Sequence, residues 1–239
     1  MVNSAAGALI LHGFTSTTAS MQPVADAVRQ AGYEVEMPLL PGHGTRWEEL
    51  ALTRADDLFA EVDAAYGRLA SRCQTVVPIG LSMGGALALW AAASWGSDGV
   101  AAINPGLRLT PGLGLIARLL ATVRPSVASI AGDIANPEVT EEAYGRTPVR
   151  AVAELNEVFR RTRAVLPYLE CPVLLLRSAR DNVVGSASAQ LLTRSVPKGQ
   201  IQEVILRRSQ HVATLDYDAE LLQRRIIRFI GEVSASPAG

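Results

Sequence analysis

Gly80-Leu81-Ser82-Met83-Gly84-Gly85 is the stretch of sequence that decides the fold. It follows an apolar run over Gln74–Ile79, which predicts a strand, and it leads into small apolar residues over Met83–Trp95, which predict a helix. A serine between two glycines at a strand-to-helix turn is typical of a nucleophile elbow, which lifts a reactive serine above a sheet edge. We expect Gly80 and Gly84 to be required, because side chains there would clash in so tight a turn.

Strand and helix signals alternate on both sides of this turn. Further strands are predicted at Ala8–Leu11, Tyr33–Leu39, Val100–Ile103, Pro172–Leu176 and Gln202–Leu206. Further helices are predicted at Met21–Ala31, from a capping box at Thr53–Asp56 to about Arg72, at Ser186–Ser195 and at Ala219–Val233. This alternation predicts the α/β class, with a mostly parallel central sheet that has helices on both faces.

The alternation is interrupted between Asn104 and about Leu169, where we predict helical pieces and no clear strand. We therefore predict a core formed by residues 1–104 and 170–239, and a small cap insert formed by residues 105–169. Ligands of open α/β sheets bind beyond the carboxyl ends of the strands. An insert that leaves the sheet at that edge is expected to cover the site.

Composition excludes several classes of function. The chain has 239 residues and a net charge of -1, so nothing in its charge favours nucleic acid as a partner. Its longest apolar run away from the amino terminus, Ala86–Ala93, is too short to span a membrane, and the first residues resemble a strand rather than a signal peptide. We expect a cytoplasmic protein without stable membrane insertion.

Cofactor signals are also missing from the sequence. Cys73 and Cys171 lie far apart without metal-type spacing, and we expect two buried thiols. The glycine-rich elbow is too short for a dinucleotide or phosphate-binding fingerprint. We predict neither a metal nor an organic cofactor.

A serine nucleophile needs a base, and histidine is scarce in this chain. In folds with this elbow the chain order is serine, acid, histidine. His211 is the one histidine that follows Ser82, and it comes directly after the last predicted strand. We predict that His211 is the base, with a surface-loop histidine as the ordinary alternative.

The acid that orients the base must lie at the same sheet edge. Asp181 follows the strand that ends near Leu176, so it meets this condition. Asp98 and Glu170 precede strands and Asp133 belongs to the insert, so we set these three aside. The alternative for Asp181 is an ordinary turn aspartate. Taken together, the elbow and the order of the three residues predict the α/β-hydrolase fold and a Ser-His-Asp triad.

Two backbone N–H groups are expected to form the oxyanion hole. The N–H of Met83 opens the helix after the elbow, and the N–H of Phe14 lies in the loop after the first strand, His12-Gly13-Phe14-Thr15. We expect His12 to be structural. His43 is expected to fix a loop near the site, without an assigned chemical role.

Motifs along nearly the whole chain resemble those of the bacterial monoacylglycerol lipases and, more broadly, of the small bacterial carboxylesterases. They are His12-Gly13-Phe14-Thr15, Ala31-Gly32-Tyr33, Gly42-His43-Gly44-Thr45, Arg72-Cys73-Gln74-Thr75, the elbow, Asn136-Pro137-Glu138-Val139, Ala143-Tyr144 and His211-Val212-Ala213-Thr214-Leu215-Asp216-Tyr217-Asp218. The resemblance implies a compact cap and a lipid ester substrate with one fatty acid on glycerol. It also implies that Glu141 of the cap binds a glycerol hydroxyl, although adjacent Glu142 and a solvated glutamate are alternatives.

Other functions stay open at this point. Apolar cap residues could line an acyl tunnel, contact lipid aggregates transiently or form the cap's own core; these are Leu107, Leu109, Leu113, Leu115, Ile116, Leu119 and Ile130. A carboxylesterase for shorter acyl esters would use the same triad. Thioesterase and haloperoxidase activities share the fold, whereas a dehalogenase or epoxide hydrolase would want an acidic nucleophile in place of Ser82. A non-catalytic ligand receptor on the same scaffold is the alternative from another class.

Overall fold

The computed structural model describes residues 4–109, 125–129 and 131–235. Its strands are β1 Ser4–Leu11, β2 Glu34–Glu36, β3 Cys73–Leu81, β4 Val100–Ile103, β5 Ser126–Ala128, β6 Arg146–Pro148, β7 Val173–Ser178 and β8 Ile201–Leu206. Its α-helices are α1 Gln22–Gln30, α2 Trp47–Leu50, α3 Ala55–Ala70, α4 Met83–Trp95, α5 Val149–Val165, α6 Ser186–Ser195 and α7 Ala219–Ala235. Short 3-10 turns at Thr18–Met21 and Leu166–Tyr168 precede α1 and follow α5.

Six strands form the central sheet in the order β2-β1-β3-β4-β7-β8, and every neighbouring pair is parallel. The predicted class and sheet are confirmed. Because all six strands run the same way, their carboxyl ends lie along one edge. The elbow after β3 and the loops after β1, β7 and β8 therefore meet there.

Buried side chains alternate between the two faces of the sheet. In β1, Leu9 and Leu11 belong to a core shared with α3, α4 and α5, whereas Ala8 and Ile10 belong to a core shared with α1 and α7. This alternation is the period of two that a strand requires. Helices therefore cover both faces of the sheet beneath the site.

Most predicted boundaries agree with the structure to within a few residues, and two differ for local reasons. β2 covers three residues of the predicted Tyr33–Leu39, and its side chains are only partly covered. The capping box at Thr53–Asp56 is wrong. The Thr53 hydroxyl instead donates to the Glu49 carbonyl at 3.0 Å, and the backbone N–H of Arg54 donates to Asp57 at 2.8 Å. Helix α3 therefore begins one residue later than the box implies.

The predicted insert contains strands that the sequence did not indicate. β5 and β6 pair antiparallel as a two-stranded ribbon. Each strand has three residues, which is too short to show an alternating pattern. Helix α5, at the end of the predicted insert, packs on α4 and contributes Leu155, Val158 and Phe159 to the main core. The division into core and cap stays a prediction.

Of the apolar cap residues singled out from the sequence, Leu107 and Leu109 are described, and Leu107 is fully buried. Leu113, Leu115, Ile116, Leu119 and Ile130 lie outside the described residues. Within the described ranges, no helix has the length and apolarity needed to cross a membrane.

Candidate active site

The backbone at Ser82 is strained in the manner of a nucleophile elbow. Ser82 has a φ of 57° and a ψ of -115°, a conformation that residues with a side chain rarely adopt. A Cβ at Gly80 would overlap the backbone of Gly84, and a Cβ at Gly84 would overlap the carbonyl of Leu11. The steric reason given for these two glycines is confirmed.

The imidazole of His211 is paired with the carboxylate of Asp181. His211 Nδ1 lies 2.8 Å from Asp181 Oδ2, and the two side chains are only 8% and 5% exposed. The other oxygen, Asp181 Oδ1, accepts from the backbone N–H groups of Val183 and Val184 at 2.9 and 2.8 Å. Because the carboxylate accepts, Nδ1 carries a proton and Nε2 keeps its lone pair.

The charge of Asp181 is stabilised by its partners. Burial alone would raise its pKa, but the hydrogen bond and charge of His211 and the two backbone N–H groups outweigh burial and lower the pKa below its usual value. Asp181 is therefore ionised at neutral pH. It can orient the imidazole and stabilise an imidazolium.

Ser82 and His211 line the same cavity. Within the described part of the chain, no hydrogen bond joins the Ser82 hydroxyl to the imidazole. Such contacts are often long in a ligand-free site and shorten when substrate binds. The structure thus brings the three predicted residues to one edge of the sheet, with the His211 imidazole and the Asp181 carboxylate already bonded.

The two predicted oxyanion donors are the backbone N–H groups of Phe14 and Met83. Neither the Phe14 N–H nor the Met83 N–H donates to an acceptor among the described residues. The Met83 N–H has no acceptor within helix α4, because Met83 is the first residue of that helix. Phe14 lines the cavity beside Ser82. Both groups are available to an oxyanion bound at the serine.

His12 supports the loop that carries Phe14. Its Nδ1–H donates to the Gly13 carbonyl at 2.9 Å, and its Nε2 accepts from the Leu40 N–H at 3.1 Å. Burial, together with the nearby His43, lowers the pKa of His12 to about 3, so the ring is neutral. A neutral ring with both nitrogens bonded is structural, as expected from the sequence.

His43 packs at the centre of a small aromatic cluster. Its ring contacts those of His12 and Phe14 edge-on and stacks on Tyr144. Its Nδ1–H donates to the Pro41 carbonyl at 2.9 Å, and burial lowers its pKa to about 4. His43 is therefore a neutral packing residue, in keeping with the expected role in fixing a loop.

The cavity has a volume of about 490 Å³, which is within the range of small-molecule sites. Its described lining is mainly apolar, with a few polar groups. The apolar part includes Leu109, Val152, Leu155, Phe159, Val183, Val184 and Val212, and the polar part includes Arg108, Asp133 and Glu141. The structure thus places Glu141 in the same cavity as Ser82. Glu142 is exposed and is not among the lining residues.

Comparison with known proteins agrees with this geometry. The sequence model of the serine aminopeptidase S33 family matches residues 3–218. The chain belongs to this family. It is 37% identical over 237 residues to a thermostable monoacylglycerol lipase from Bacillus sp. strain H-257, covering 96% of the chain and 92% of that lipase, so it lies among the bacterial monoacylglycerol lipases of the S33 family.

Two further relatives support the assignment. The chain is 24% identical over 226 residues to a carboxylesterase from Bacillus subtilis strain 168, covering 93% of the chain and 91% of that enzyme. A solved structure from work on LipS and LipT, two metagenome-derived lipolytic enzymes, has a TM-score of 0.92 and 37% identity, with 97% and 95% of the two chains covered. The predicted α/β-hydrolase fold is confirmed.

Sequence reasoning missed several residues that hold the site of this S33-family chain together. Asn104, buried at the end of β4, donates from Nδ2 to the His211 carbonyl at 2.8 Å and accepts the Ser178 N–H at 2.7 Å. Its φ of 42° is unusual for a residue with a side chain. The position directly after a buried strand is the one signal that could have identified it.

The run His211–Asp218 is longer than a triad requires, because its later residues stabilise the loop that carries His211. Asp216 accepts from the Gln210 N–H at 2.8 Å, and Asp218 accepts from the Arg208 and Ser209 N–H groups at 2.8 and 3.1 Å. These bonds fix the backbone on either side of His211. The resemblance of this run to the lipases therefore has a structural cause.

Proposed function

We propose that the protein hydrolyses monoacylglycerols to glycerol and a free fatty acid, with Ser82 as nucleophile, His211 as base and Asp181 as the orienting acid. The observation that carries this proposal is the bonded His211–Asp181 pair in a mainly apolar cavity that Ser82 also lines. An apolar cavity with one reactive polar end suits an acyl chain joined to an ester.

The reaction proceeds in two steps. Ser82 Oγ attacks the ester carbonyl while His211 Nε2 takes its proton, and the imidazolium then protonates the departing alcohol to leave an acyl-enzyme. A water molecule, deprotonated by His211, attacks the acyl-enzyme, and the returned proton restores Ser82. The ionised Asp181 stabilises the imidazolium in both steps.

The N–H groups of Phe14 and Met83 are proposed to hold the oxyanion of each tetrahedral intermediate. They are oriented before substrate arrives. The His12 ring supports the loop that carries the Phe14 N–H, and the start of helix α4 orients the Met83 N–H. Preoriented donors of this kind contribute about 3 kcal/mol each to lowering the barrier.

Glu141 is proposed to bind the alcohol end of the substrate. Its Oε2 accepts the Gly132 N–H at 2.9 Å, and this bond holds the carboxylate in place. No group among the described residues bonds to Oε1, which can therefore accept from a hydroxyl. Glu141 lines the cavity and Glu142 does not, which favours Glu141 of the two. Free glycerol hydroxyls then distinguish a monoacylglycerol from a simple alkyl ester.

The proposal is tested by measuring hydrolysis of mono-, di- and triacylglycerols across acyl lengths, with an amino acid p-nitroanilide as the substrate an aminopeptidase would cleave. We expect monoacylglycerols to be preferred and Ser82→Ala to lose nearly all turnover and its labelling by a fluorophosphonate. Labelling also separates an enzyme from a ligand receptor. A preference for short alkyl esters would favour the carboxylesterase alternative. Undiminished hydrolysis by Ser82→Ala would refute the mechanism.

Glu141→Gln tests the alcohol site, with Glu142→Gln as its matched neighbour. The side-chain amide introduced by Glu141→Gln has one oxygen in place of two, so it cannot accept from the Gly132 N–H and a substrate hydroxyl as the carboxylate does. It also loses the charge of the carboxylate, so kcat/KM for a monoacylglycerol should fall about tenfold while that for p-nitrophenyl butyrate changes little. Glu142→Gln should leave both unchanged. Equal losses on both substrates in Glu141→Gln would contradict the glycerol role.

Three sequence predictions stay proposals of the same kind. These are a cytoplasmic location, transient contact of the cap with lipid aggregates, and a core of residues 1–104 and 170–239 with a cap of residues 105–169. Cell fractionation, vesicle co-sedimentation and limited proteolysis test them in that order.

A further inference from the structure

The carboxylate of Asp133 lies between the two loops that carry the base and the acid. Its Oδ2 accepts from the His211 N–H at 3.1 Å and from the Asn182 N–H at 3.0 Å, and its Oδ1 accepts from Asn182 Nδ2 at 2.7 Å. The Asp133 carbonyl also accepts from the Val212 N–H at 3.1 Å. Asn182 directly follows Asp181, so one insert residue contacts both triad loops.

We propose that Asp133 is a positioning residue for the triad, which fixes the spacing between the loops of Asp181 and His211 from the insert. The inference rests on the proposed function. Asp133 has no need to touch the reacting atoms, because its bonds go to the backbone of the base and to the backbone and side chain of Asn182, next to the acid. It keeps the imidazole aligned by holding both ends of the His211–Asp181 pair.

A carboxylate suits this position because the described groups that bond to its oxygens are all donors. Three N–H groups from two loops converge on its two oxygens, and an ionised acceptor strengthens each of these bonds. A neutral side chain of similar size keeps some of the contacts, whereas alanine loses all three.

A second carboxylate, that of Asp216, joins the insert to the loop of His211 in the reverse direction. Asp216, in the chain segment of the base, accepts from the Ala135 and Asn136 N–H groups of the insert at 2.8 and 3.1 Å. It also accepts from the Gln210 N–H, next to His211. The insert segment 133–136 and the loop 210–216 are therefore joined reciprocally, and the insert shares in the geometry of the triad.

The test compares Asp133→Ala with Asp133→Asn in the full chain. The measured quantity is kcat, the maximal rate on p-nitrophenyl butyrate divided by the concentration of active sites titrated with a fluorophosphonate. A shift of the base by about 1 Å costs on the order of 100-fold, so kcat of Asp133→Ala should fall about 100-fold with KM within about threefold. In Asp133→Asn, the Asn oxygen can accept both backbone N–H groups and its NH2 can donate to a flipped Asn182 amide. We expect this variant to recover kcat to within about tenfold of wild type.

Glu154→Ala is the matched control, because Glu154 also accepts a backbone N–H, that of Ala55 at 2.9 Å, away from the triad. It should lose stability with kcat unchanged. Wild-type kcat in Asp133→Ala would overturn the inference, as would an equal kcat loss in Glu154→Ala. If Asp133→Ala does not fold, a loss larger than tenfold in folded Asp133→Asn would also overturn it. A wild-type enzyme inactive on every ester would instead refute the proposed function.

Discussion

Asp181→Asn is the substitution for which the structure gives the sharpest expectation, because both oxygens of Asp181 have defined partners. Oδ1 accepts two backbone N–H groups, from Val183 and Val184, and Oδ2 accepts the Nδ1–H of His211. An asparagine has one oxygen and one NH2 group, so it cannot serve both sides. Its orientation decides whether the imidazole has the right tautomer.

In the first orientation, the Asn oxygen stays with the two backbone N–H groups and its NH2 faces His211 Nδ1. Nδ1 must then act as an acceptor, so the proton moves to Nε2 and the ring cannot take the proton of Ser82. This wrong tautomer lowers kcat by on the order of 10⁴-fold in serine proteases with the same triad.

In the second orientation, the Asn oxygen faces His211 and the productive tautomer returns. The NH2 group then opposes two backbone N–H groups, which costs about 1–3 kcal/mol at the part-buried N–H of Val184 and less at the exposed N–H of Val183. With about 3 kcal/mol for the two groups together, about one molecule in 10² is productive, since 1.36 kcal/mol corresponds to a factor of ten. Either route therefore gives a loss of about 10²-fold or more.

The assay is kcat for p-nitrophenyl butyrate at neutral pH, per folded enzyme. Asp98→Asn is the control, since it makes the same chemical change at a residue that lines a different cavity, and it should leave kcat unchanged. Retention of more than a tenth of wild-type kcat by Asp181→Asn would show that Asp181 does not set the tautomer of the base.

Three further predictions concern stability, measured by urea denaturation. Gly80→Ala should lower the free energy of unfolding by about 3 kcal/mol or more, because the new Cβ meets the backbone of Gly84. Gly145→Ala is the control, because Gly145 has open space around it, and it should change the free energy of unfolding by less than about 0.5 kcal/mol. The pKa of His43 falls from 6.5 to about 4 on folding. As the pH is lowered, the unfolded chain therefore binds a proton at His43 before the folded protein does, and stability decreases as the pH falls from 6.5 to 4. His43→Phe should remove about 3 kcal/mol of this decrease, and an unchanged pH dependence would contradict the assignment. Tyr144→Phe loses the hydroxyl bonds to the 42–45 loop, at 2.8 and 3.0 Å, and should cost about 1–2 kcal/mol; a cost near zero would mean that these bonds contribute nothing net.

The parts of the site that follow strands could be predicted from the sequence. Ser82, Asp181 and His211 each come just after a strand or the turn that ends it, and parallel strands bring such positions to one edge. The helix Met83–Trp95 and the strand Val100–Ile103 were predicted with their observed bounds, because glycine or polar residues end each apolar run.

The parts of the site that depend on the predicted insert could not be predicted in this way. Asp133 was set aside because it lies outside the alternating strands and helices, yet it contacts both triad loops. The ribbon of β5 and β6 was missed because three-residue strands carry no readable period. Contacts between residues far apart in the chain leave no local pattern in the sequence. They can be predicted only where the fold brings a recurring position, such as the end of a parallel strand, to a known edge.

The sequence by itself was enough to predict the triad, because a serine between glycines and the order of its proposed partners are local and topological facts. Only the tertiary structure decided which carboxylates bond to the loops around these residues. Asp133, Asp216 and Asp218 have the same side chain, and their roles differ only through the N–H groups that folding directs toward each one. Those directions depend on how distant loops pack, which the order of residues alone does not express.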